Sequence, residues 1–74
     1  MNHSPMPVQL LSFFEALEEV ADGKKVTKIE WKNPLIYIHL NSGFLMLHKE
    51  DGKDYRLTPS DGDILGKDWV VVHE

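Results

Sequence analysis

Three groups of side chains in this sequence carry potential chemistry. His39 and His48 fall on consecutive strand-like segments joined by a short hairpin, which brings them near each other across it. Two such imidazoles plus a carboxylate would suit zinc. No metal-ligand spacing signature accompanies them, His3 lies in the N-terminal tail and His73 ends the last strand. The expectation is ordinary half-exposed strand histidines and no metal site. The carboxylates Asp61, Asp63 and Asp68 cluster near a short helix, where one could serve as a general base. Structural duties account for them better: Asp63 caps, Asp61 belongs to the turn and Asp68 leads into a strand. Trp31 and Trp69 each stand at a strand end beside polar loops. Such an indole is either core or a platform for a flat ring, where stacking is worth about 1–3 kcal/mol per base. Lys28 and nearby backbone N–H groups would then hold phosphates.

No nucleophile elbow, P-loop, dinucleotide glycine motif or H-E-x-x-H is present. Ser12, Ser42 and Ser60 are explained by caps and turns. The reading is a non-enzyme with no catalytic residues and no cofactor.

The elements that must position these groups follow from periodicity. Ser12 and Glu15 form an S-x-x-E capping box, and Phe13, Ala16, Leu17 and Val20 make one apolar helical stripe. Gly23 is placed to end that helix in the left-handed conformation. Beyond it the pattern becomes β-like. Strands are expected over 25–31, 35–40, 44–48, 55–57 and 68–72, with Asn41-Ser42-Gly43 as a hairpin loop. Ser60 and Asp63 cap a one-turn helix that Gly66 stops. The fold class is α+β: one N-terminal helix packed on an antiparallel sheet of about five strands, in meander order. Residues 1–11 read as a flexible arm and 12–74 as a single domain.

Strands two, three and five are apolar on both faces, whereas a sheet covered by one helix should alternate. The short helix cannot shield both faces, and monomers rarely expose a large apolar patch. A closed homo-oligomer, a dimer or a dimer of dimers, is therefore expected.

Composition sets the outer limits. At 74 residues with 42% hydrophobic content, the chain supports one domain with a marginal core. The absence of cysteine excludes disulfides and thiolate metal sites. No apolar run is long enough for a membrane span, and the start lacks the features of a secretory signal, which suits the cytoplasm. A net charge of −4 argues against duplex nucleic acid as partner. Lys24, Lys25, Lys28 and Lys32 nonetheless gather beside Trp31, as either a small anion patch or a solvated strand flank.

Three anchors stand in a recognisable order. They are Phe13-x-Glu15-Ala16-Leu17, Gly23-Lys24-Lys25-Val26-x-Lys28-x-x-Trp31 and Asp63-Ile64-Leu65-Gly66-x-Asp68-Trp69-Val70-Val71. Together they resemble the Thoeris anti-defence two family of small phage and bacterial proteins, over residues 12–72. The resemblance implies a sponge: a protein that sequesters glycocyclic ADP-ribose or a related cyclic nucleotide signal and so blocks anti-phage signalling. It also implies homotetramers with ligand pockets between subunits. On that reading Trp31 stacks on the ring, Phe13 and Trp69 are pocket walls, Lys28 contacts phosphate, and Asp63 or Asp68 accepts a ribose hydroxyl or adenine amino hydrogen. The competing readings are a protein–protein inhibitor of a host defence enzyme and a structural oligomer without ligand.

Overall fold

The first helix forms where its caps say it should. In the computed structural model, which describes residues 9–73, α1 spans Phe13–Ala21. Ser12 and Glu15 exchange side-chain and backbone hydrogen bonds at 3.2 and 2.9 Å. Gly23 closes the helix at φ +92°. The chain then makes β1 (Lys25–Lys28), a 3₁₀ turn (Ile29–Trp31), β2 (Tyr37–Asn41), β3 (Phe44–His48), β4 (Asp54–Arg56), α2 (Asp61–Leu65) and β5 (Trp69–Val72).

All strand pairings are antiparallel, in the order β4-β3-β2-β1-β5. This corrects the meander. The first four strands do follow one another, but β5 crosses over through α2 to pair with β1 instead of β4. Lys25 to Lys28 align with Val72 to Trp69 in that pairing. On the outer edge of β5, Leu11 exchanges hydrogen bonds of 2.7 and 3.2 Å with Trp69. Leu11 is buried, so the last residue of the expected arm is docked on the sheet. Residues 1–8 of that arm lie outside the described residues.

The second correction is local. A strand was expected to run through Trp31, but β1 stops at Lys28. The backbone N–H groups of Ile29 and Glu30 donate to the Asp68 carbonyl (3.1 Å) and carboxylate (3.0 Å), and Lys32 takes a left-handed conformation. These bonds wind the segment into a turn that swings Trp31 over Trp69. Tertiary contacts override a period-two pattern here.

The core is Leu11, Phe13, Ala16, Val20, Val26, Ile38 and Trp69. Helix α1 packs chiefly on β1, β5 and β2. On that same side Leu40, Leu45 and Tyr55, at the β3–β4 end, stay exposed. The opposite face is less apolar than the pattern suggested. It mixes Tyr37, Phe44, Met46, Val70 and Val72 with Lys25, Thr27, His39, Asn41, His48, Asp54 and Arg56, as the strand registers require. The uncovered apolar strip therefore lies beyond the reach of α1 on its own side, not across the sheet.

Candidate functional site

The six residues singled out from the sequence gather in one place. Trp69 is completely buried at their centre. Phe13 lies 5.5 Å from its ring and Trp31 meets it edge-on at 5.2 Å. Its indole N–H donates to the Asp63 carbonyl at 3.0 Å. Asp63 also completes the α2 capping box, accepting from the Ser60 N–H at 3.0 Å. Lys28, only 4% exposed, places its ammonium 3.0 Å from Glu30 and 3.8 Å from Asp68.

This arrangement decides what each residue has left to offer. Phe13 and Trp69 are core side chains with no open ring face. Trp31 is half-buried and Asp63 and Asp68 are partly accessible. The Lys28 ammonium is already neutralised. Its pKa is raised above the ordinary lysine value, first by the Glu30 hydrogen bond and then by the nearby charges of Asp68, Glu30 and Asp63, against the opposing effect of burial. A phosphate approaching Lys28 would meet these carboxylates first. The Trp31 surface thus offers an aromatic ring and oxygen acceptors but little net positive charge.

The lysines expected near Trp31 do not form one patch. Lys24 pairs with Glu19 at 3.0 Å. Lys25 and Lys28, one strand position apart in parity, project to opposite faces of β1.

A second cluster lies on the open face, and its carboxylate was missed from the sequence. The two-residue Ser42-Gly43 loop, with φ of +54° and +81°, fixes the β2–β3 register. That register sets Tyr37 opposite His48 and leaves His39 on the same face. The next hairpin sets Asp54 opposite His48. Asp54 accepts from His48 Nδ1 at 2.7 Å and meets His39 Nε2 at 3.1 Å, while the Asn41 amide donates to it at 3.0 Å. Hydrogen bonds from His48, Asn41 and His39 hold the Asp54 pKa down to about 2. Tyr37 stacks on His48 with centroids 4.7 Å apart. Asp54 was legible only through the length of the second hairpin.

Beside this cluster is a cleft of about 430 Å³ whose walls include Lys25, Leu35, Tyr37, His48, Lys49 and Glu50. The Lys25 ammonium lies 4.9 Å above the Tyr37 ring. Lysine, glutamate and aromatic side chains thus share its walls, with the Lys49 ammonium 4.8 Å from the Tyr55 ring.

The architecture defines a small α+β domain with its two helices on one side of an antiparallel sheet and a polar, aromatic face on the other. The chain belongs to the Thoeris anti-defense 2-like (Tad2-like) family, whose profile matches residues 11–72. That membership supports an anti-Thoeris role. No curated protein matches the chain. Among the described residues, no helix is long and apolar enough to cross a membrane.

Proposed function

We propose that the chain blocks Thoeris signalling as a non-catalytic sponge, binding a cyclic ADP-ribose isomer between copies of itself. Family membership supports the target pathway. The supporting geometry is the division of binding chemistry between two surfaces. A cyclic ADP-ribose needs a flat platform and hydroxyl acceptors, and it needs cations or N–H donors for two phosphates. The Trp31 surface supplies the former with Asp63 and Asp68, over walls held by Phe13 and Trp69. The phosphates are assigned to the cleft of a neighbouring copy, whose walls include Lys25 and Lys49. Association of copies, up to the tetramer the family resemblance implies, uses the apolar strip of Leu40, Leu45 and Tyr55 that α1 leaves bare. The cytoplasm of the host cell is the compartment this role requires.

Calorimetric titration with glycocyclic ADP-ribose tests this reading. The expected result is saturable binding, with intact ligand recovered after heating the complex. Recovery of a degraded nucleotide would mean catalysis instead.

The same apolar strip favours a second reading, a protein–protein inhibitor of a host defence enzyme. It predicts capture of that enzyme from lysate after all nucleotide has been removed, by a chain that is monomeric alone.

A further inference from the structure

We propose that His39, His48 and Asp54 form a site for a divalent transition-metal ion, with zinc as the best fit, on the open face of the sheet. One potential ligand atom from each residue lies within 4.8 Å of the others. The Asp54 carboxylate turns one oxygen to each imidazole, at 2.7 Å from His48 Nδ1 and 3.1 Å from His39 Nε2. Zinc takes nitrogen and carboxylate oxygen at about 2.0–2.2 Å, so tetrahedral ligand atoms sit roughly 3.4 Å apart. Small side-chain rotations reach that spacing.

Three features separate this group from a chance surface cluster. The ligands come from three adjacent strands, β2, β3 and β4, whose registers are fixed by two hairpins. Such a frame holds ligand positions better than loops do. A supporting layer exists: Asn41 donates to Asp54 at 3.0 Å, and the Tyr37 ring lies flat on His48. Partners of this kind fix the orientation of metal ligands. Finally, the side chains of His39, His48 and Asp54 are 21, 26 and 20% exposed. An ion can therefore enter, and a fourth position remains for water or another small ligand, as in zinc sites with three protein ligands. Two histidines and one carboxylate also provide the borderline-to-hard donor set that suits such ions.

The inference stands apart from the nucleotide reading, because the probe is the metal alone. The full chain, stripped with chelator, is titrated with Zn²⁺ by calorimetry and with Co²⁺ by visible absorption. The expected result is saturable uptake of one ion per chain and a cobalt d–d band. His39→Gln and Asp54→Asn should each weaken uptake by at least about tenfold, since even outer-layer changes at metal sites cost that much. Melting in chelator confirms that the variants fold. Imidazole NMR of the unaltered chain gives a check that needs no variant: zinc should shift His39 and His48 and spare His3 and His73. Unsaturable uptake, equal affinity in both variants, or a response centred on His3 or His73 would overturn the site. It would leave His39 and His48 as two histidines sharing one carboxylate by hydrogen bonds. Nucleotide binding measured in chelator reports separately on the sponge.

Discussion

Two clusters in this small domain use similar residue types for opposite ends. Around Trp69, a lysine, carboxylates and aromatic rings close on one another. Lys28 is neutralised, Asp68 caps a turn, Asp63 caps a helix, and the indole N–H finds a backbone carbonyl. On the open face, Asp54, His39, His48 and Tyr37 also contact one another, but His39, His48 and Asp54 remain 21, 26 and 20% exposed. The difference is cover. Helix α1 and the crossover through α2 cover the first cluster, whereas no described element lies over the second. The sealed side chains Phe13, Lys28 and Trp69 spend their capacity on the fold, whereas Trp31 at the rim of that cluster and the side chains of the open face retain some for ligands.

The largest expected effect comes from breaking the sealed side. Trp69→Ala removes a fully buried indole at a cost of about 3–5 kcal/mol. Small domains hold only about 0.05–0.15 kcal/mol per residue, so most of the fold's stability would go. Urea denaturation should show loss of the cooperative transition. Tyr37→Ala on the open face should leave that transition in place, shifted by about 1 kcal/mol.

Lys28→Gln comes next, at about 1–2 kcal/mol. It removes an ion pair whose partner Glu30 is mostly exposed, together with the packing of the lysine stem over Gly66. The sign of its pH dependence follows from the raised pKa. The stabilisation is complete below the ordinary lysine value of 10.5 and disappears as pH climbs through the higher folded value. Alkaline melting curves should therefore fall less steeply in Lys28→Gln than in the unaltered chain. Tyr55, whose pKa is raised by its hydrogen bond to Asp51, weakens in the same direction and remains as a shared background in both. Ser12→Ala should have an effect as small as Tyr37→Ala, about 1 kcal/mol from loss of the α1 cap, read as a modest shift of the urea midpoint.

What the sequence disclosed was mainly local. Ser12 with Glu15, Ser60 with Asp63, Gly23 and Gly43 all do what their types require, because caps and tight turns are decided within a few residues. The strand Phe44–His48 has the bounds its pattern gave. Longer-range decisions were hidden. Nothing near Ile29–Trp31 announces a 3₁₀ turn, because the group that winds it is the distant Asp68 carboxylate. The place of β5 beside β1 depends on the crossover, not on any strand's own pattern. The candidate residues around Trp69 do lie together, but sequence spacing cannot show that Glu30 would claim Lys28. The pairing of His39 with His48 was foreseeable from the hairpin, and the missing third member, Asp54, required the register of a second one.

The central claim, that each ligand is shared between an aromatic surface on one copy and a lysine-lined cleft on another, meets its most direct test in mixed oligomers. Trp31→Leu chains and Lys25→Gln/Lys49→Gln chains, each folded and each weakened toward glycocyclic ADP-ribose, are combined, exchanged and titrated by calorimetry. The account predicts that the mixture regains a fraction of sites with the unaltered affinity, because some interfaces unite an intact Trp31 with an intact pair of lysines. If mixing restores no tight sites, or if only one of the two variants is weakened to begin with, the ligand does not bridge these two surfaces.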